Sequence, residues 1–232
     1  MIQDRSVSVV IPVFNCERYL QEAIESVFAQ SVPVKEDIVI DDGSTDSSAG
    51  VAGIFKNKIK YVYQSHLGLS LAVNRGVSLA SGDFIAFLDA DDIWVKDKLA
   101  LQIAIFEDVP GLDMVFGHVQ QFLTPELKES LKERIFFIEE IMPGYVCGTM
   151  IIRKESFLRV GLFEAERLSG GFMEWFLKAK EQGLKSFMMP EVVMKRRLHE
   201  TNMGIRIRDQ QRNEYIKIIK ASLDRRRKKE LV

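Results

Sequence analysis

Fully apolar runs alternate with amphipathic segments along the first half of the chain. Val7 to Phe14 (VSVVIPVF) is a near-continuous apolar, β-branched run. That is the pattern of a strand buried on both faces, as in a parallel sheet. Arg18 to Ser31 follows, with Leu20, Ile24, Val27 and Phe28 at helical spacing. Asp37 to Asp42 reads as a second strand that ends in paired aspartates before a Gly/Ser turn, and Ile59 to Gln64 as a third. Leu69 to Gly82 predicts a helix, Asp83 to Asp92 a fourth strand, and Lys96 to Phe106 a third helix. Strands alternating with helices predict an open, mostly parallel α/β sheet flanked by helices.

The pattern loosens after Pro110. Asp113 to Phe122 reads as a strand, and Thr124 to Glu133 as a polar loop or short helix. Val146 to Gly161 reads as strand then helix, Gly170 to Gly183 as a helix, and Lys185 to Leu198 as one or two strands. Residues 205–227 predict a last amphipathic helix buried through Tyr215, Ile216, Ile219 and Leu223. Without repeats or low-complexity linkers, one domain over residues 1–232 is the simplest expectation. It would divide into a Rossmann-like half (1–109), a smaller mixed half (110–204), and a terminal helix with a basic tail (205–232).

Composition narrows the partners. Of the 232 residues, 47% are hydrophobic, enough for a sizeable core, and the net charge of −1 points to no nucleic-acid partner. Arg225 to Lys229 is a basic run whose bland reading is a solvated tail and whose sharper one is weak contact with an anionic membrane surface. Cys16 and Cys147 show no metal or disulfide spacing. No apolar run reaches the roughly 20 residues a membrane helix needs. The expectation is a cytoplasmic protein, peripheral to a membrane if the tail binds one.

Carboxylates gather at two strand ends: Asp41 and Asp42, then Asp89, Asp91 and Asp92. Ligands of open α/β sheets bind beyond the carboxyl ends of the strands. Clustered acids raise one another's pKa, and a hard divalent cation, Mg²⁺ or Mn²⁺, would relieve them. If Asp89-Ala90-Asp91 is extended, both aspartates project to one side. The competing reading has Asp91 or Asp92 capping the next helix and Asp41 and Asp42 making a turn.

The ordered segments VSVVIPVFNCERYLQEAIESVFAQS, IVIDDGSTDSS, GLSLAVNRGVSLASGDFIAFLDADD and GTMIIRKESFLRVGLFEAERLSG resemble family 2 glycosyltransferases of the GT-A fold. The resemblance runs from Val7 to about Gly183. It implies a nucleotide-sugar donor, a divalent metal and inversion at the anomeric carbon. By the same resemblance Asp91 ligates the metal on the donor diphosphate, and Asp89, with Ala90 beside it, contacts the ribose or the metal. Asp42 hydrogen-bonds the base with Asp41 in support. Pro12, Val13, Phe14 and Glu17 line the nucleotide pocket, and Gly68 and Asn74 lie by the nucleotide and sugar. His199 matches a family histidine near the diphosphate or metal.

Two departures stand out. Val73 replaces an arginine that often precedes the asparagine, with Arg75 either its substitute or simply a surface residue. Gly171 and Phe172 occupy the positions of an expected Glu-Asp pair, which leaves Glu174 as the candidate general base and Glu164 or Glu166 as the next acids to test. UDP is the expected nucleotide, and the acceptor (glycan, lipid-linked sugar or peptide) is not legible. A donor-binding relative without turnover, acting as a partner subunit, is the alternative. A nucleotidyltransferase is a third reading, disfavoured by the missing Gly-rich phosphate loop.

Overall fold

A computed structural model describes residues 5–125, 127, 137–165 and 170–230. β1 (Val7–Val13) is buried at every position because it serves two cores. Val7, Val9, Ile11 and Val13 enter one, and Val10 the other, as the two-residue period of a strand requires. β2 (Glu36–Asp42) and β4 (Phe84–Phe87) flank β1 in parallel, and β3 (Lys60–Gln64) extends the sheet beyond β2. Helices α1 (Leu20–Phe28), α2 (Ser48–Ile54) and α4 (Lys98–Asp108) contribute to the first core. The second takes α3 (Leu69–Leu79), α5 (Lys154–Val160) and α6 (Gly171–Glu181). α3 lies close on β1: a Cβ on Gly76 would stand 2.2 Å from Val10 Cγ1.

The second half is mixed. β4 pairs antiparallel with β8 (Ile151–Arg153), and β8 does so with β6 (Met114–Leu123). β6 runs parallel to the long β9 (Ser186–Leu198), on which the short β5 (Ile93–Trp94) closes antiparallel. The order is β3-β2-β1-β4-β8-β6-β9-β5, with β7 (Met142–Pro143) beside β6. This is the expected α/β class, with a parallel first half and a mixed second half.

Several expectations shift. β4 stops at Phe87, and the next residues turn, with the Asp92 N–H donating to Asp89 O at 3.0 Å. The Asp-Ala-Asp segment is therefore not extended. α4 begins two residues later than expected, at Lys98, and neither Asp91 nor Asp92 caps it. Thr124 to Glu133 lies for the most part outside the described residues.

The buried stripe expected on the last helix is corrected. A short α7 (Met203–Arg206) precedes α8 (Arg208–Glu230). α8 buries Ile218 and Ser222, while Ile216, Ile219 and Leu223 are 56%, 44% and 47% exposed. The helix is apolar on two sides, so spacing could not choose between them. Polar anchors set its rotation: Arg225 Nε and Nη2 donate to Glu181 of α6 at 2.7 and 3.1 Å, and Ser222 Oγ donates to it at 2.6 Å.

Candidate active site

The loops that leave β1 and β2 are fastened to each other. Asn15 takes a left-handed backbone, φ 48°, which asparagine tolerates better than most residues. Its Oδ1 accepts from the backbone N–H groups of Thr45 (2.8 Å) and Asp46 (3.3 Å), and its own N–H donates to Ser44 Oγ (3.0 Å). The N–H groups of Cys16 and Glu17 donate to Ser48 Oγ and Asp46 Oδ2, both at 2.9 Å, and Glu17 Oε2 accepts from Ser47 N–H at 2.7 Å. Glu17 thus braces the wall, with Pro12 and Val13 buried beneath it and Phe14 44% exposed at the mouth.

Asp41 and Asp42 are both buried and both engaged. Asp41 accepts from Ser44 N–H (2.8 Å), which is a turn role, and from Tyr61 Oη (2.6 Å). Burial and the Asp41 carboxylate push the Tyr61 phenol above its ordinary range, so the proton stays on Tyr61. Asp42 accepts from Gln64 Nε2 (2.7 Å), Leu67 N–H (2.9 Å) and Gly68 N–H (2.8 Å), with His66 Nδ1 2.8 Å away. It holds Gly68, at φ +97°, where α3 begins. His66 was not singled out in the sequence. Its ring stacks on Phe14 with centroids 4.0 Å apart and planes 17° apart, forming a flat aromatic surface at the cleft mouth.

The turn after β4 is pinned by the end of β9. Arg197 N–H donates to Asp92 Oδ1 (2.9 Å), Arg197 Nε to Asp91 O (3.0 Å), and Arg197 Nη2 to Glu22 Oε2 (2.8 Å). The guanidinium lies 4.6 Å from the Tyr19 ring centroid and 4.7 Å from that of Phe122. Asp91 Oδ2 meets His199 Nε2 at 2.9 Å and accepts from Asn202 Nδ2 at 3.0 Å. Asn202 Oδ1 accepts from His199 N–H (2.6 Å), and Thr201 Oγ1 lies 2.8 Å from His199 Nδ1. Both His199 ring nitrogens are thereby held. Arg197, Thr201 and Asn202 lie within three residues of His199 in sequence, but residue type alone does not mark them as part of the site.

Burial and then crowding hold the acids of this turn toward their protonated forms. Loss of hydration and then the Asp91 charge push Asp89 up to about 6. Asp89 is nevertheless exposed as a residue, so solvent or a ligand can reach it. Asp92, fully enclosed, is pushed well up by burial and by both neighbouring aspartates. Behind them Lys98, held down to about 7 by burial, donates to Gln102 Oε1 (2.6 Å) and lies 4.5 Å from the Trp94 ring centroid. Trp94 Nε1 and Gln102 Nε2 donate to Gly148 O (2.9 Å) and Thr149 O (2.8 Å). These bonds back up the turn at Cys147–Thr149. Burial raises the thiols of Cys16 and Cys147, so neither is poised as a nucleophile.

α3 and α6 close the remaining side. Asn74 Nδ2 donates to Phe163 O (2.8 Å) and Asn74 Oδ1 accepts from Phe163 N–H (2.9 Å). Val73 is a core residue, and Arg75 is exposed. Gly171 meets α3 closely: a Cβ there would stand 2.6 Å from Ser70 Oγ. Phe172 stands among Phe116, Phe163 and Phe176. Glu174 is buried with Oε1 3.7 Å from Lys178, two turns from Glu181 on the side of α6 that faces α8. Glu164 binds Lys178 at 2.6 Å, and Glu166 lies outside the described residues.

Among the described residues, no group of three or more His, Cys, Asp or Glu side chains could hold a metal ion alone. The residues suit a different arrangement. Asp91 and His199 offer adjoining donors, with the reachable Asp89 beside them in the same turn. Mg²⁺ and Mn²⁺ typically take one or two protein carboxylates and complete their shells with phosphate oxygens and water. The donor set fits an ion that arrives with a diphosphate.

The family model described as glycosyl transferase family 2 matches residues 8–161. The chain belongs to that family. It is 34% identical over 152 residues to an uncharacterised glycosyltransferase of Rickettsia felis, covering 65% of this chain and 24% of that protein. It is 28% identical over 206 residues to one of Rickettsia typhi, covering 84% and 64%. The chain thus spans less than two thirds of either relative.

Among solved structures, Staphylococcus aureus TarS superposes with a TM-score of 0.68 at 21% identity, covering 83% of this chain and 37% of that one. TarS 1–349 in complex with UDP-GlcNAc superposes at 0.66 and 21% identity, covering 85% and 60%. The Pyrobaculum calidifontis mannosyltransferase PcManGT in complex with GDP-Man and Mn²⁺ does so at 0.64 and 19%, covering 87% and 59%. At these identities the likeness establishes the GT-A fold.

Proposed function

We propose that the chain is an inverting glycosyltransferase that moves a sugar from a nucleoside-diphosphate donor, UDP-linked by preference, to an acceptor hydroxyl. The observation that carries this reading is the Asp91–His199 pair beside exposed Asp89, at the carboxyl edge of a GT-A sheet. Support comes from neighbours crystallised with UDP-GlcNAc, or with GDP-Man and Mn²⁺. Asp91 and His199 would hold the divalent ion, Mn²⁺ or Mg²⁺, which when bound neutralises charge on the diphosphate leaving group. Phe14 and His66 offer a ring surface to the base. Asp42 and Asp41 shape that pocket through Gly68, Ser44 and Tyr61, with the base reached from Asp42's edge. Asn74 secures the wall beside the sugar. The acceptor oxygen attacks the anomeric carbon, the bond to the phosphate oxygen breaks with its electron pair leaving on the diphosphate, and a carboxylate takes the acceptor's proton. Glu174 is the proposed carboxylate. The whole chain acts as one unit in this reading.

A specific observation favours a second reading, donor binding without turnover. By the family resemblance Gly171 and Phe172 fall where a Glu-Asp pair is expected, and Glu174 lies 3.7 Å from Lys178. Release of UDP from a panel of sugar nucleotides, with and without Mn²⁺, separates the two readings, and two variants test the residues. Asp91→Ala should abolish the gain in UDP affinity that Mn²⁺ gives over EDTA in calorimetry, and equal wild-type affinity in Mn²⁺ and EDTA would sink the metal role. Glu174→Gln should keep donor binding and lose transfer, whereas wild-type turnover in that variant would remove Glu174 as the base.

A further inference from the structure

The outer face of α8 carries a surface that the donor chemistry does not use. Ile218, Ser222 and the Arg225–Glu181 pair lock the helix to α6, which fixes its rotation. The opposite face presents Ile216, Ile219 and Leu223, each 44–56% exposed. Spaced i, i+3 and i+7, they form one continuous stripe. Single exposed aliphatic residues are ordinary, but a contiguous stripe marks an interaction site. On the helical wheel exposed Arg212, Lys220, Arg226 and Arg227 flank it, and the exposed acids among the described residues of the helix are Asp209 and Asp224. α8 carries nine Lys or Arg against four Asp or Glu in a chain of net charge −1, so the remainder is acidic and positive charge is concentrated on this helix.

We propose that this face of α8 docks in the plane of an anionic membrane surface. The three aliphatic side chains would sit at the headgroup–acyl boundary and the flanking cations on lipid phosphates. Charge complementarity selects this occupant. Two copies meeting through the stripe would bring two cationic helices together. Three half-exposed aliphatic residues also fall far short of the ~800 Å² per partner that a stable protein interface buries. A lipid surface accepts lysine and arginine without burying their charge, because the apolar stems lie flat while the heads reach the phosphates. No described helix is long and apolar enough to cross a membrane, so the contact is in-plane. It is independent of the transferase reading, since no residue of the stripe touches the cleft side chains described above.

The test is flotation of the full chain with phosphatidylcholine vesicles, with and without phosphatidylglycerol, at about 0.15 M salt. The chain should float with the anionic vesicles and stay behind with the neutral ones. The triple variant Ile216→Ser, Ile219→Ser, Leu223→Ser should bind at least about tenfold more weakly, and so should Lys220→Glu with Arg227→Glu. Both variants should keep the wild-type circular dichroism and melting midpoint, because the altered side chains are exposed. Wild-type chain that ignores anionic vesicles overturns the proposal, and so does a triple variant that floats as well as wild type. A wild-type dimer in light scattering that the triple variant dissolves would assign the stripe to a second copy instead.

Discussion

Asp37 is the residue most at odds with its surroundings. It lies in β2, 1% exposed, with neither carboxylate oxygen hydrogen-bonded among the described residues, and burial pushes it up to about 8. The unfolded chain releases this proton near the ordinary carboxylate value and the folded chain holds it to about pH 8, so the folded state binds more protons between those values. Stability therefore falls as pH rises across that window. Asp37→Val should raise the melting midpoint, by more at pH 8 than at pH 5, and a gain independent of pH would contradict the burial argument. A second residue-scale expectation concerns Asn202, which bonds both Asp91 and the His199 backbone. Asn202→Ala should cost about 1 kcal/mol of stability and weaken UDP binding in Mn²⁺ while sparing it in EDTA. Equal weakening in both by calorimetry would make Asn202 merely structural.

Among the elements, α6 and α2 make opposite demands on glycine. Gly170, at φ +78°, opens α6, and a Cβ there would stand 2.8 Å from Ile218 Cδ1 and 3.0 Å from Tyr215 Cε1 of α8. Gly170→Ala combines backbone strain with a clash and should cost about 2–4 kcal/mol. Gly183, at φ +81° with open space around it, should show the strain alone, about 1 kcal/mol. In α2, Gly50 and Gly53 meet nothing within 4 Å. Each replaced by alanine should stabilise the protein by about 0.5–1 kcal/mol, since helical glycine is held at an entropic disadvantage. Urea titrations of the four variants would rank them, and a Gly183 loss equal to that of Gly170 would remove the α6–α8 contact from the explanation.

Across the whole molecule, lowered carboxylates join distant segments. Glu36 binds Ser8 and Ser81, Asp83 binds Ser6, Glu181 binds α8, and Asp113 binds Ser156, Arg159 and Lys185 N–H. These hydrogen bonds and charges lower each group against its partial burial. Their stabilisation is complete above the ordinary carboxylate pKa and is lost as pH falls through the lowered values. Melting midpoints should therefore drop steeply in acid, and Asp113→Asn should flatten that limb. An unchanged acid limb would discount the Asp113 network.

The parallel half was legible because β1, β2 and β4 are buried on both faces and carry apolar stretches, Val9–Val13, Ile38–Ile40 and Phe84–Phe87. The pairing of β6 with β8 and β9 was not, since it joins segments far apart in sequence with no local signal. The acids of the candidate site were visible by type. Arg197, Asn202 and His66 were not, because their importance comes from partners that only folding brings near. The rotation of α8 was misread because its anchor, Glu181, lies on another helix.

The fastening of the loops after β1 and β2 has a kinetic meaning. Asn15, Glu17, Ser44, Asp46, Ser47 and Ser48 satisfy one another within the protein. The polar groups that hold this wall are already paired with each other, so a donor has no part of it to order. Association should then run at an ordinary rate for every donor that fits, and one sugar nucleotide should differ from another chiefly in how long it stays.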